Sequence, residues 1–159
     1  MFAFTLWPGS PSHQFEIYNA MLRRFPQNIF QRFQDGGNLF ATTIFVLASA
    51  VQKLARLEKI PEGTPLYRGL GGAMELPMSF WKADGRGCRG YAEWGFMSTT
   101  SDKSIALTYS GVKEQRPLPM VLVLVVSSID RGACIRDFSQ YPKVVWWIVL
   151  FFFSFTDLP

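Results

Sequence analysis

Two textures in one chain predict an α+β fold. Apolar residues recur at helical spacing up to about residue 60, and short apolar runs cut by glycine and proline follow. The order predicts amino-terminal helices packed on a mixed or antiparallel sheet. A chain of 159 residues, 48% hydrophobic and 18% charged, has the length for one domain and the composition of a globular one. The expected domain covers residues 10–155, helical over 10–60 and β-rich over 64–155.

Ser10 and Pro11 read as a helix cap and first helical residue, with Phe15, Tyr18, Met21, Leu22 and Phe25 on one face until Pro26 stops the helix. Asp35-Gly36-Gly37-Asn38 is a loop. A second helix is expected over 39–58, with Leu39, Thr43, Val46, Leu47, Ala50, Leu54 and Leu57 as its buried stripe. Lys53, Arg56 and Lys59 sit at its carboxyl end, where cations suit the helix dipole, and Pro61 ends it. Residues 65–68 form a short strand, 74–90 a long loop and 91–100 a second strand. Asp102 caps a short helix running to Tyr109, the unbroken apolar run 120–127 reads as a central strand, and 134–141 carries an edge element.

A net charge of +4 with a pI near 9.3 suits an anionic ligand, but the basic residues are scattered and nucleic acid is not expected. One histidine, His13, and two distant cysteines, Cys88 and Cys134, predict no metal site and no disulfide framework, one bridge being the most they could make. No signal peptide is evident, because Pro8-Gly9 breaks the first apolar run early; a soluble intracellular protein is the expectation. The apolar tail 144–155 is shorter than the roughly 20 residues of a spanning helix, so a buried strand is expected ahead of a membrane segment.

Gly85-Arg86-Gly87-Cys88-Arg89-Gly90 matches GxGxxG, but Tyr91-Ala92-Glu93-Trp94 does not open a helix and no dinucleotide fingerprint is read there. Tyr67-Arg68-Gly69 places a guanidinium at a strand end before a glycine, a fork that matches phosphate oxygens. In Ser98-Thr99-Thr100, alternation puts Ser98 and Thr100 on one face and Thr99 on the other. Singly, these read as a surface arginine and a strand running into a helix cap.

Taken in order, Tyr67-Arg68-Gly69, then Phe96-Met97-Ser98-Thr99-Thr100 with Ala106 and Tyr109 after it, then an apolar strand and Phe138-Ser139-Gln140-Tyr141-Pro142, the chain resembles the arginine-type mono-ADP-ribosyltransferases, the R-S-E class of NAD-dependent transferases. Residues 39–53 and Leu76-Pro77-Met78-Ser79-Phe80-Trp81 add to the resemblance, which spans about 10–142. It implies an ADP-ribosyltransferase-type fold that stops early at the carboxyl end. The implied activity is transfer of ADP-ribose from NAD, or NADP, to an exposed arginine of an acceptor protein, with release of nicotinamide and no metal. By the same resemblance Arg68 holds the pyrophosphate and the Gly69 backbone the nicotinamide amide. Ser98, Thr99 and Thr100 stand at the Ser-Thr-Ser element that supports the ribose, Thr100 replacing its final serine, and Tyr109 packs on the nicotinamide.

The implied reaction builds positive charge on the sugar and needs a Glu-x-Glu pair just after Pro142. The expected positions are Val144 and Trp146, and residues 143–156 contain no carboxylate. Two alternatives follow: a catalytically dead NAD-binding or interaction module, and a membrane-associated protein held by the apolar tail. Asp137 precedes the turn, and Glu93, Glu114 and Asp130 lie elsewhere in sequence.

Overall fold

The computed structural model describes residues 12–71, 75–87, 89–127, 132–138, 146–149 and 152–155. Two helices and an antiparallel sheet make its main body, an α+β arrangement. α1 (Ser12–Arg23) carries Phe15, Tyr18 and Leu22 on one face with Met21 buried, as its periodicity predicts, but it ends at Arg23, short of Pro26, and leaves the expected Phe25 outside it and exposed. The expected cap at Ser10 and Pro11 lies outside the described residues.

α2 (Gln27–Asp35) was not expected. It is nine residues long with no buried residue, and Ile29, Phe30 and Phe33 at i, i+1 and i+4 were the helical signal available for it. The Asp35-Gly36-Gly37-Asn38 turn follows, and Asn38 Oδ1 accepts from the Phe40 N–H at 3.1 Å. Phe40 takes a left-handed φ of 53° and sets its ring against Tyr18 and Phe33, with centroids 5.5 and 5.4 Å away.

α3 (Ala41–Leu57) is the expected second helix, but its inward face differs from the expected stripe. Ile44, Leu47, Ala48, Val51, Leu54 and Ala55 pack inward, whereas Leu39, Val46, Ala50 and Leu57 are exposed, Leu57 by 83%. The helix is apolar around much of its circumference. Periodicity therefore admits several stripes, and only the shape of Phe96, Ala133 and Ile135 beneath selects one.

β1 (Pro65–Gly69) pairs along its whole length with β4 (Val121–Val125), from Pro65 opposite Val125 to Gly69 opposite Val121. The sheet order is β4-β1-β3-β6-β5, where β3 is Met97–Thr100, β5 is Ala133–Cys134 and β6 is Trp146–Val149; every pairing is antiparallel. Among the described residues β4 is thus an edge strand, not the central one its apolar run suggested. Leu124 is buried and Leu122 half-buried, while Val123 and Val125 are 56% and 66% exposed, so burial in this chain explains only alternate residues.

The expected strand over 91–100 is broken in two. β2 (Arg89–Ala92) pairs with β7 (Phe152–Phe155) in a separate ribbon, and only β3 joins the main sheet. A polar clamp makes the break: the Phe96 N–H donates to Asn19 Oδ1 at 2.6 Å, and Asn19 Nδ2 donates to the Phe96 carbonyl at 3.2 Å. Glu93 accepts from Arg23 Nε and Nη2 at 2.7 and 2.9 Å and from the Gly95 N–H at 2.7 Å. Both clamps tie the strand start to α1.

The expected loop 74–90 contains a single helical turn, α4 (Met78–Trp81). Asp84 Oδ1 then accepts from the Arg86 N–H at 2.8 Å, and the Gly87 N–H donates to the Asp84 carbonyl at 3.0 Å. This turn feeds strand β2 and opens no helix, which removes the dinucleotide reading of GxGxxG on geometric grounds. Within the tail, 146–149 and 152–155 are strands. No helix among the described residues is long and apolar enough to cross a membrane.

Two clusters form the core. Ile60, Leu66, Met97, Leu124 and Val126 fill one, with Leu122 against them. Val51, Phe96, Ala133 and Ile135 fill the other, beneath α1 and α3.

Candidate functional site

Arg68 and Ser98 meet. β1 pairs with β4 over five residues but with β3 at one position, Tyr67 opposite Thr100. Beyond that bridge the Arg68 guanidinium spans the two strands: Nη1 donates to the Ser98 carbonyl at 2.8 Å and to Ser98 Oγ at 3.1 Å. Both side chains are half-buried. A charged donor on a carbonyl and a hydroxyl holds each in place more firmly than a neutral one would.

Gly69 follows at the strand end. Its Cα faces the main chain of α5 (Lys103–Thr108) and the residues just after it. A Cβ there would collide with the Ala106 carbonyl oxygen and stand 2.5 and 2.6 Å from the Tyr109 carbonyl carbon and Ser110 nitrogen. Glycine is required by close packing of strand on helix end. The Gly71 N–H donates to the Tyr109 carbonyl at 2.9 Å, tying the turn after Arg68 to the end of α5. The Tyr109 side chain stands 54% exposed beside this junction.

Ser98, Thr99 and Thr100 lie on β3, but their burial does not alternate: Ser98 is half-buried and both threonines are buried. Thr99 has no exposed surface and Thr100 almost none. Thr100 Oγ1 accepts from the Asp102 N–H at 3.1 Å, so its hydroxyl turns the strand toward α5. Asp102 then caps α5, accepting from Ser104 N at 2.8 Å and Ser104 Oγ at 2.7 Å. These bonds, the Ser104 hydroxyl first, hold the Asp102 carboxyl below its ordinary value.

The strand beside β3 is β6, in register from Met97 opposite Val149 to Thr100 opposite Trp146. Ser98 is opposite Ile148 and Thr99 opposite Trp147. Trp146 thus lies on the strand flanking the serine-threonine element, and Val144 is outside the described residues. Whatever the register, β6 brings no acid, since residues 143–156 have none. Of the other acids, Glu93 is held by Arg23 and Gly95, and exposed Asp137 sits 3.5 Å from Arg136 Nε. Glu114 is on an exposed turn, and Asp130 lies outside the described residues.

The described residues contain no group of three or more His, Cys, Asp and Glu placed to hold a metal. Cys134 is a buried free thiol, Cys88 lies outside the described residues, and His13 is on α1. Asn19 was missed in the sequence. It is a buried polar residue beside the apolar face of α1, and that break in the pattern was the available signal. Comparison of the chain with known protein families, with curated proteins and with solved structures returned no match.

Proposed function

We propose that this chain carries an ADP-ribosyltransferase-type NAD site of the R-S-E class, whose class reaction moves ADP-ribose from NAD to a protein arginine and releases nicotinamide. The observation that supports it is the contact of Arg68 with Ser98, two residues that the resemblance assigns to one site and that stand thirty apart in sequence. In this reading the guanidinium meets the pyrophosphate and the Ser98 hydroxyl the ribose. Gly69 and Tyr109 border the same junction, where the nicotinamide would lie.

A second reading, an NAD-binding module without useful transfer, is favoured by one specific observation. The strand flanking the serine-threonine element presents no carboxylate to a developing oxocarbenium ion. Loss of one group that stabilises transition-state charge slows a reaction by about 10²–10³-fold. Binding of the ground-state pyrophosphate needs no such group.

Two measurements on the full chain test both readings. Titration calorimetry with NAD should show binding that Arg68→Ala abolishes; wild-type protein that takes up no NAD refutes the proposal. Transfer of label from NAD to an arginine-rich acceptor should be near background, and rise in the Val144→Glu, Trp146→Glu double variant. Robust transfer by the unaltered chain would refute the second reading and leave the first standing.

A further inference from the structure

β4 has one side of its main chain turned away from β1. The Val126 N–H donates to the Thr64 carbonyl at 3.1 Å, and the Leu70 N–H donates to the Met120 carbonyl at 3.0 Å. Both bonds lie on the β1 side, in the register that sets Leu66 opposite Leu124. In an antiparallel ladder this side alternates. Even-numbered residues of β4 therefore direct their main-chain groups at β1, and Val121, Val123 and Val125 direct theirs outward. Among the described residues no strand meets that edge.

Edges of this kind are usually blunted by charge, by proline or by brevity. β4 reads Val-Leu-Val-Leu-Val, with no charge and the full length of its partner strand. At the other end of the sheet, β5 is two residues long and buried. The β4 sequence is also a palindrome about Val123. In an antiparallel self-pair centred there, Val123 faces Val123 of the second copy, Val121 faces Val125, and Leu122 faces Leu124. The three outward residues of each copy then exchange main-chain bonds at all three facing positions. Pro119, which has no N–H, falls opposite residue 127 and limits pairing to the palindrome.

We infer that this edge binds a second copy of the same chain, joining two sheets across a twofold axis at Val123. The palindrome favours this occupant, because centring on Val123 sets β-branched valines opposite valines and lets every outward group of both copies bond in one register. The inference is independent of any NAD reading.

Sedimentation velocity over a concentration series of the full chain should show dimer, at least half populated by ~100 µM. Val123→Pro removes an outward N–H, a change edge strands tolerate, and should raise the dissociation constant at least ~tenfold with the circular dichroism spectrum kept. Cross-linking fixes the register in a Cys88→Ser background, where Cys134 remains buried. Facing Cα atoms in a bonded pair lie about 5.5 Å apart, so Val123→Cys should join to itself with a short bis-maleimide. Val125→Cys should not, because its own symmetry mate is about 13 Å along the strand; mixed with Val121→Cys it should. A monomer at every concentration overturns the inference. So do a dimer indifferent to Val123→Pro, open-ended assembly, and self-linking at 125 equal to that at 123.

Discussion

Replacing Gly69 with alanine tests whether the close approach of β1 to α5 organises the site. The added carbon collides with the Ala106 carbonyl oxygen and stands 2.5 Å from the Tyr109 carbonyl carbon and 2.6 Å from the Ser110 nitrogen. Ordinary contact between heavy atoms is about 3.5–4.0 Å, so the strand and helix end must part by about 1 Å. All three obstacles are main-chain atoms, and no rotamer change relieves them. Such overpacking costs about 1–3 kcal/mol, here toward the upper end. For a chain of this size 1 kcal/mol lowers Tm by roughly 2–4 °C, which predicts a fall of about 4–12 °C. Thermal unfolding followed by circular dichroism measures it. Removing the Tyr109 ring as well should restore nothing, because the ring is not what the new carbon meets. A Gly69→Ala protein with Tm within about 1 °C of the original, or one rescued by Tyr109→Ala, would refute the close-packing argument.

Three further substitutions probe the same framework. Asn19→Ala leaves the buried Phe96 N–H and carbonyl without their side-chain partner, and chemical denaturation should show a loss of about 2–3 kcal/mol. Arg68→Lys keeps the charge but loses the planar guanidinium that the proposed site offers the pyrophosphate, so calorimetry should show NAD affinity lowered at least ~tenfold. Asp102 has a folded carboxyl pKa below its ordinary value of 3.8, so its contribution is fully present above that pH and is lost as pH falls through the lower folded value. Tm measured from pH 6 down to about 2 should therefore fall more steeply for the original chain than for Asp102→Asn, whose amide does not titrate.

Local signals in the sequence carried most of the elements but not their neighbours. Asp102 before an apolar turn announced the cap of α5, and the proline-bounded run at 65–68 announced β1, because caps and turns are decided within a few residues. The edge position of β4 was not legible: an apolar run signals burial on two faces, whereas Val123 and Val125 are apolar and exposed. The rotation of α3 was equally hidden, since a helix apolar on several sides takes its orientation from Phe96, Ala133 and Ile135, which lie far along the chain. At the site, the pattern singled out Arg68 and Ser98 for separate reasons. Their hydrogen bond depends on β1 and β3 parting after one residue pair, which no periodicity encodes. Thr100 shows the reverse case, where the local reading of a strand end turning into a cap describes its hydroxyl fully.

The tail separates what the sheet requires from what the proposed reaction requires. Pairing of β6 with β3 uses main-chain groups, which every residue of 146–149 supplies whatever its side chain. Tryptophan, isoleucine and valine are strong strand formers and favour the ladder more than carboxylates would. Stabilising a positive sugar demands a carboxylate at a particular place, and no strand preference substitutes for it. Arg68 and Ser98, by contrast, come from β1 and β3 and meet through the Arg68 side chain, while β6 enters only by pairing its main chain with β3, Ile148 opposite Ser98. An NAD site assembled this way has its clamp and its acid on different strands. The acid can therefore be lost with the fold and the clamp intact, which is the arrangement that the second reading of this chain requires.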